Sequence, residues 1–382
     1  MVRTHSAQNE PVATYITRLD QPGSGPRIAV KDVIDVAGVP TTAGCKAVAA
    51  IAEPAERDAA CMAGARAADA AIVGKANMHE LAFGASGVNH WFGTPVNPLD
   101  PALLPGGSSS GSAVAVAEGS ADIGYGTDTG CSVRVPAAFC GVAGLKTTFG
   151  RISLDGVWPL APSLDTVGPI AADVAGLTAA MALLEPGFAV TEGPAARVGR
   201  LRPPSDELDP RIDAAVDAAL LASGLETVEL DAVDWEDALQ QTYVLTASEA
   251  AALHAQLMAA PDGISDSVRA MLKFGAGVTD DQRGAALACQ LGWKALLAQI
   301  LGHVDVIALP TVPFFPPPLA EAEQHDFPHF AAPVNLAGLP AIALPVPSAH
   351  RLPASIQLIG PANGEELLLA TGALVESAVG LY

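Results

Sequence analysis

An α/β fold is the architecture this sequence predicts, from three observations. Short apolar runs with strand character recur at residues 27–30, 71–75, 196–199 and 304–311. Between them lie stretches of helical composition or amphipathic spacing, over 54–70, 209–221 and 234–257. Half of the 382 residues are apolar and 16% are charged, so a sizeable core can be buried and global disorder is excluded. The length accommodates one large α/β domain or two smaller ones.

Charge and cysteine usage narrow the class. A formal net charge of −21 opposes binding to nucleic acid or to an anionic membrane surface, and it favours solubility. The five cysteines (Cys45, Cys61, Cys131, Cys140 and Cys289) show no Cys-x-x-Cys spacing. Neither a disulfide framework nor a structural zinc is expected, which fits a reducing compartment. The first fifteen residues lack an apolar h-region and no run approaches 18 apolar residues, so a soluble cytoplasmic protein is expected.

Taken in order, residues 1–26 are polar and turn-rich and read as an N-terminal arm. The strand over 27–30 ends at Lys31-Asp32. A lysine at a strand end is ordinarily a solvated terminus. Residues 54–70 are alanine-rich with Arg57 and Asp58 in the first turns, and a strand follows at 71–75. His79-Glu80 raises a metal site, but no second histidine stands at helical spacing, so zinc is not expected. A turn at 93–98 delivers the chain to its most glycine- and serine-dense stretch, 106–151.

That stretch holds two glycine-flanked serine sites, Ser108 and Ser132, 24 residues apart, with an Ala/Val helical segment over 113–118 between them. Glycine permits positive φ and close backbone approach, so two turns exposing N–H groups and hydroxyls can converge on one point. A flexible linker does not alternate with packed Ala/Val segments. A phosphate cradle lacks its Gly-Lys-Ser/Thr, and the Gly-x-Ser-x-Gly elbow is absent around Ser132.

Gly106-Gly107-Ser108-Ser109-Ser110-Gly111-Ser112, the run from Gly126 through Asp128, Ser132 and Arg134, and Pro136-Ala137-Ala138-Phe139-Cys140-Gly141 resemble the signature of the amidase signature family, hydrolases with a Ser–cis-Ser–Lys triad. The resemblance extends to Val30-Lys31-Asp32 before Asp35-Val36-Ala37-Gly38-Val39-Pro40-Thr41-Thr42-Ala43-Gly44, and to 163–170, 332–341 and 352–361. It covers roughly residues 27–377 and thins over 196–301. It implies a single large domain over 27–382, a central mixed β-sheet flanked by helices, with 196–301 a helical cover over the cleft. Departures from the family pattern are local: Asp173 where arginine is common, Lys146-Thr147-Thr148 for Lys-Pro-Thr, and Cys131 for a glycine.

The residues can support amide chemistry. A neutral hydroxyl attacking an amide carbonyl must lose its proton as it adds. No histidine lies beside Ser132, but a lysine whose ammonium form is disfavoured by burial can act as base. Lys31, one of only six lysines, ends a buried strand and suits that role. The resemblance implies Ser132 as nucleophile, Ser108 as proton relay after a cis peptide bond, Lys31 as base, and neither cofactor nor metal. The turn of Thr129, Gly130, Cys131 and Ser132 can supply N–H donors to an oxyanion. By resemblance, the backbone carbonyl near Ala82 contacts substrate.

If the turn demands φ > 0 at Cys131, the cysteine tilts an N–H; if not, its thiol narrows the pocket. Cys131 as nucleophile lacks a partner base. Asp128 and Arg134 are expected to form a structural ion pair around the turn. His325 and His329 are four apart, but Pro328 breaks a helix between them, so a cleft loop is expected rather than a metal site.

The expected activity is hydrolysis of a small carboxamide through an acyl-serine intermediate. The alternatives are a glutaminase subunit feeding ammonia to a partner, as in aminoacyl-tRNA amidotransferases, and a catalytically silent binding protein on the same fold. The expected partner is a small-molecule amide, with a homodimer open.

Overall fold

Among the described residues, eleven strands pair into one sheet: β1 (Tyr15–Arg18), β2 (Arg27–Lys31), β3 (Ala71–Ala76), β4 (Ile123–Thr127), β5 (Ala143–Lys146), β6 (Val167–Ala171), β7 (Arg197–Arg200), β8 (Glu226–Glu229), β9 (Val306–Pro310), β10 (Ala341–Val346) and β11 (Ala354–Ile359). Their order is β1-β3-β2-β4-β6-β5-β10-β11-β9-β7-β8. β2 runs parallel to β3 and β4, and β7 runs parallel to β8 and β9. The remaining pairings are antiparallel, so the sheet is mixed. The structure is a computed structural model that describes residues 14–19, 21–260 and 262–380.

Most strands are apolar on both faces because both faces are covered. In β9, Val306 and Ala308 enter one core cluster while Ile307 and Leu309 enter another. The two-residue side-chain period of an extended chain, buried on both sides, produces this split.

Eleven helices surround the sheet among the described residues: α1 (Lys46–Ala49), α2 (Ala63–Ala67), α3 (Ser110–Ala117), α4 (Arg134–Cys140), α5 (Val174–Leu184), α6 (Pro210–Ser223), α7 (Trp235–His254), α8 (Asp266–Ala276), α9 (Asp280–Ile300), α10 (Ala332–Ala337) and α11 (Glu365–Val379). α5, α6 and α11 pack against the face that carries Val306 and Ala308. α3 and α4 meet over Ile170 of β6 in a separate cluster. α10 packs against α7 and α9 around Trp235, Trp293 and Val334.

Three elements differ from the sequence expectation. The arm expected over 1–26 contributes β1, an edge strand antiparallel to β3 with Tyr15 buried; residues 1–13 lie outside those described. The helix expected over 54–70 shrinks to a 3-10 turn, Ala60–Met62, followed by α2. Gly64 approaches the backbone of Leu183 so closely that a Cβ there would stand 2.1 Å from its carbonyl oxygen, and the turn ends with Asp69 at φ +51°. The segment 196–301, expected as a strand at 196–199 followed by helical cover, carries that strand as β7, adds β8 to the sheet and sends α6 onto the α11 face.

Local signals set the long helices. Asp209 accepts from the Arg211 N–H ahead of Pro210, and Gly224 at φ +70° ends α6. A capping box of Thr279 and Gln282 starts α9. Among the described residues, no helix is long and apolar enough to cross a membrane.

Candidate active site

β2 lies between its two parallel neighbours, and its last residue, Lys31, is wholly inaccessible. Its Nζ donates to Ser108 Oγ at 2.8 Å, to Thr127 Oγ1 at 2.7 Å and to the Thr127 carbonyl at 3.3 Å. None of these partners is a carboxylate. Burial pulls the amine down to about 7, against a smaller upward pull led by the charge of Asp128. Near neutrality much of this lysine is therefore an uncharged base.

Ser108 is placed by close backbone approach. The Gly107–Ser108 peptide is cis. A Cβ on Gly107 would sit 2.8 Å from the Gly87 nitrogen, so only glycine fits there. α3 begins two residues later and lies tight against β4: a Cβ on Gly124 would stand 2.7 Å from the Ser112 carbonyl oxygen. The hydroxyls of Ser109 and Ser112 donate to the carbonyls of Thr127 (3.3 Å) and Tyr125 (3.0 Å). The dense serine run thus stitches α3 onto the strand that leads to Ser132.

The two serine turns meet. The Ser109 N–H donates to the Ser132 carbonyl at 3.2 Å, and Cys131 Sγ lies 3.9 Å from the Gly107 carbonyl oxygen. Ser132 itself is nearly buried. Among the described residues, the N–H groups of Thr129, Gly130, Cys131 and Ser132 donate to no protein acceptor. Four consecutive unpaired donors beside a serine can stabilise a developing oxyanion.

A buried polar cluster holds that turn. Arg134 grips Asp128 with two bonds of 3.0 and 2.9 Å, and both side chains are inaccessible, as the expected ion pair requires. Arg134 also donates to Gln357 Oε1 at 2.6 Å and to the Ala331 carbonyl at 2.9 Å. Asn335 Nδ2 donates to the Asp128 carboxylate at 2.9 Å, and Thr129 Oγ1 donates to Asp165 at 2.6 Å. Burial opposes ionisation of Asp128, but the Arg134 guanidinium, helped by Lys146 and Asn335, overrides it and holds the carboxyl down at about 2.

Cys131 does not take up a positive φ, so its turn imposes no glycine requirement. The thiol is buried in an apolar cluster with Ala85, Phe139 and Phe327, and burial pushes it far above the ordinary cysteine range. It fills space rather than presenting a thiolate.

Lys31, Ser108 and the Thr129–Ser132 turn, proposed from the sequence, thus come together. Ala82 stands at φ +57° at the end of the 3-10 turn Glu80–Ala82. That turn is tied to the site through His79, whose N–H donates to the Ser108 carbonyl at 3.0 Å. His325 contacts the carboxylates of Glu207 (2.7 Å) and Glu321 (3.3 Å), and His329 contacts the Pro204 carbonyl at 2.9 Å, so the two rings have separate partners. Sequence reasoning missed Thr127, Asn335 and Gln357. Thr127 stands in the Gly126–Arg134 motif, and Asn335 and Gln357 stand in the matching runs 332–341 and 352–361, so all three could have been found there, although the runs do not say which side chains will meet.

Fold and site together define a hydrolase of amide C–N bonds. A family model described as Amidase matches residues 6–187 and 188–369. A glutamyl-tRNA(Gln) amidotransferase subunit of Halobacterium salinarum is 35% identical over 408 residues, spanning 94% of this chain and 96% of the relative. The 2-amino-5-chloromuconic acid deaminase of Comamonas testosteroni is also 35% identical, over 96% of this chain and 86% of its own. A crystal structure of an amidase superposes with a TM-score of 0.84 at 34% identity, covering 93% of this chain and 85% of that one. The chain belongs to the amidase signature family.

Proposed function

We propose that this protein hydrolyses a small carboxamide through an acyl-serine intermediate, with Ser132 as nucleophile, Ser108 as relay and Lys31 as base. The observation that carries the reading is the 2.8 Å bond between an inaccessible amine pulled to about 7 and the Ser108 hydroxyl. As Ser132 Oγ bonds to the carbonyl carbon, its proton passes to Ser108, whose own proton moves to neutral Lys31 Nζ. The carbonyl oxygen becomes an oxyanion facing the unpaired N–H groups of the turn. Collapse breaks the C–N bond, and the proton on Lys31 returns through Ser108 to the departing nitrogen. Water then adds to the acyl carbon, losing a proton along the same relay; collapse breaks the bond to Ser132 Oγ, which takes the proton back as the acid leaves.

Reaction with a fluorophosphonate, followed by mass spectrometric mapping, tests this. An adduct on Ser132 that forms in the native chain and is lost in Lys31→Ala supports it. Full carboxamide hydrolysis by Ser132→Ala would rule it out.

The likeness to the Halobacterium protein, over 94% of this chain, favours one further reading: a glutaminase subunit that passes ammonia to a partner protein. Glutamine hydrolysis that appears only when a co-purifying second chain is present would select it.

A further inference from the structure

Beside the Ser108 turn lies a cavity of about 530 Å³, within the size range of small-molecule sites. Lys31, Ser108 and Ser132 do not line it, but its walls reach them in one step. His79, in the wall, bonds the Ser108 carbonyl through its N–H. Ala85 and Phe327, also in the wall, share the apolar cluster that contains Cys131, the neighbour of Ser132. Gly107 abuts Gly87 closely enough to exclude a Cβ. The cavity thus borders both serine turns through single intervening residues.

The wall is one-sided in charge. Glu80 and Glu323 line it, with Ser86, Ser265, Ser267 and the histidines His79, His90 and His325, and among the described residues no lysine or arginine does. Glu80 is 3% exposed, and its oxygens accept from Trp91 Nε1 at 2.8 Å and from the Ser265 N–H at 3.0 Å, which fixes the carboxylate in place. Burial, followed by the charges of His90 and Lys31, pulls His79 down to about 4, so its ring adds no positive charge near neutrality. His325, at another edge, stands between Glu207 and Glu321. A carboxylate entering this space meets two glutamates and finds no lysine or arginine to pair with.

We infer, on the acyl-serine reading above, that this cavity receives the acyl chain and selects it by charge, admitting uncharged or ammonium-bearing chains and excluding carboxylate-bearing ones. Glu323 is the specificity residue open to change, because it lines the cavity yet is exposed to solvent.

The test uses three fluorophosphonates of equal length ending in an alkyl, an ammonium or a carboxylate group. The second-order rate of adduct formation on Ser132 is measured in the native chain, in Glu323→Lys and in Glu192→Lys. Glu192 is exposed and lies outside the cavity, so it controls for the overall charge of −21. The ammonium probe is expected to react about tenfold faster than the carboxylate probe, with the alkyl probe also ahead of the carboxylate. Glu323→Lys should cut the ammonium-to-carboxylate ratio at least about threefold, and Glu192→Lys should leave it within about twofold. A carboxylate probe as fast as the ammonium probe, or equal shifts in both variants, overturns the inference; a carboxylate preference would point instead to an amino-acid amide such as glutamine. If none of the three labels Ser132, it is the acyl-serine reading that falls.

Discussion

Two wholly buried lysines stand on adjacent strands, and the fold gives them different partners. In the register of β2 and β3, Val30 faces Lys75 and Lys31 faces Ala76, so the two amines are one position apart. Lys75 meets Asp32 at 3.2 Å with both side chains inaccessible, and it donates to Thr41 Oγ1 at 2.8 Å. The same carboxylate accepts from the Thr42 hydroxyl and from its N–H at 3.0 Å. Lys31 instead donates to two hydroxyls and a carbonyl. Burial disfavours the ammonium form of any lysine. A carboxylate partner compensates and makes the amine structural, whereas hydroxyl partners leave it available as a base.

Exchanging these environments one group at a time sharpens the contrast. The largest effect is expected from Lys31→Met, which keeps the apolar stem and removes the amine. Carboxamide hydrolysis, read as kcat/KM, should drop about 10²–10⁴-fold. The thermal midpoint should hold or rise, since a desolvated amine has been removed. Lys75→Met should do the reverse. It strands Asp32 without its cation and should cost about 3–5 kcal/mol in urea unfolding. Adding Asp32→Asn to that variant should restore most of the loss, and an unchanged midpoint in the single variant would mean the pair contributes nothing.

The pH profile separates the two lysines next. Lys31 must be neutral to accept a proton, and burial has lowered it to about 7. Activity should therefore level off above pH 7 and decline about tenfold per unit below it. The Lys75→Met variant should keep that limb, and the residual activity of Lys31→Met should lack it. The smallest change is expected from Thr127→Val, which deletes the 2.7 Å partner of Lys31. A roughly three- to tenfold loss in kcat/KM is expected, in line with one hydrogen bond. No loss at all would show that the Ser108 hydroxyl and the Thr127 carbonyl suffice to position the amine.

How far the sequence foretold this depends on the distance between partners. Ser108 and Ser132 sit in contiguous glycine- and serine-rich runs that mark them, whereas Lys31 is marked only by the resemblance of its Val30-Lys31-Asp32 context to the family. The Asp128–Arg134 pair is six residues apart and legible for the same reason. The pairing of Lys75 with Asp32 is not legible, because a lysine in an apolar strand looks the same before folding whether it will meet a carboxylate or a hydroxyl. β1 is hidden in a polar arm, as four residues carry too little alternation to register. The helix over 54–70 is shorter than its composition suggests because alanine propensity ignores the close approach of Gly64 to Leu183.

The bond from Arg134 to Gln357 spans 223 residues. A ribosome adding roughly 5–20 residues per second takes about 10–45 s to make that interval. Throughout it the growing chain already carries Ser132, Asp128 and Arg134, while the turn that presents the serine lacks Gln357 and, until late, Asn335. The hydroxyl is synthesised early and framed late, so a half-made chain holds a nucleophile whose amide cradle is not yet braced.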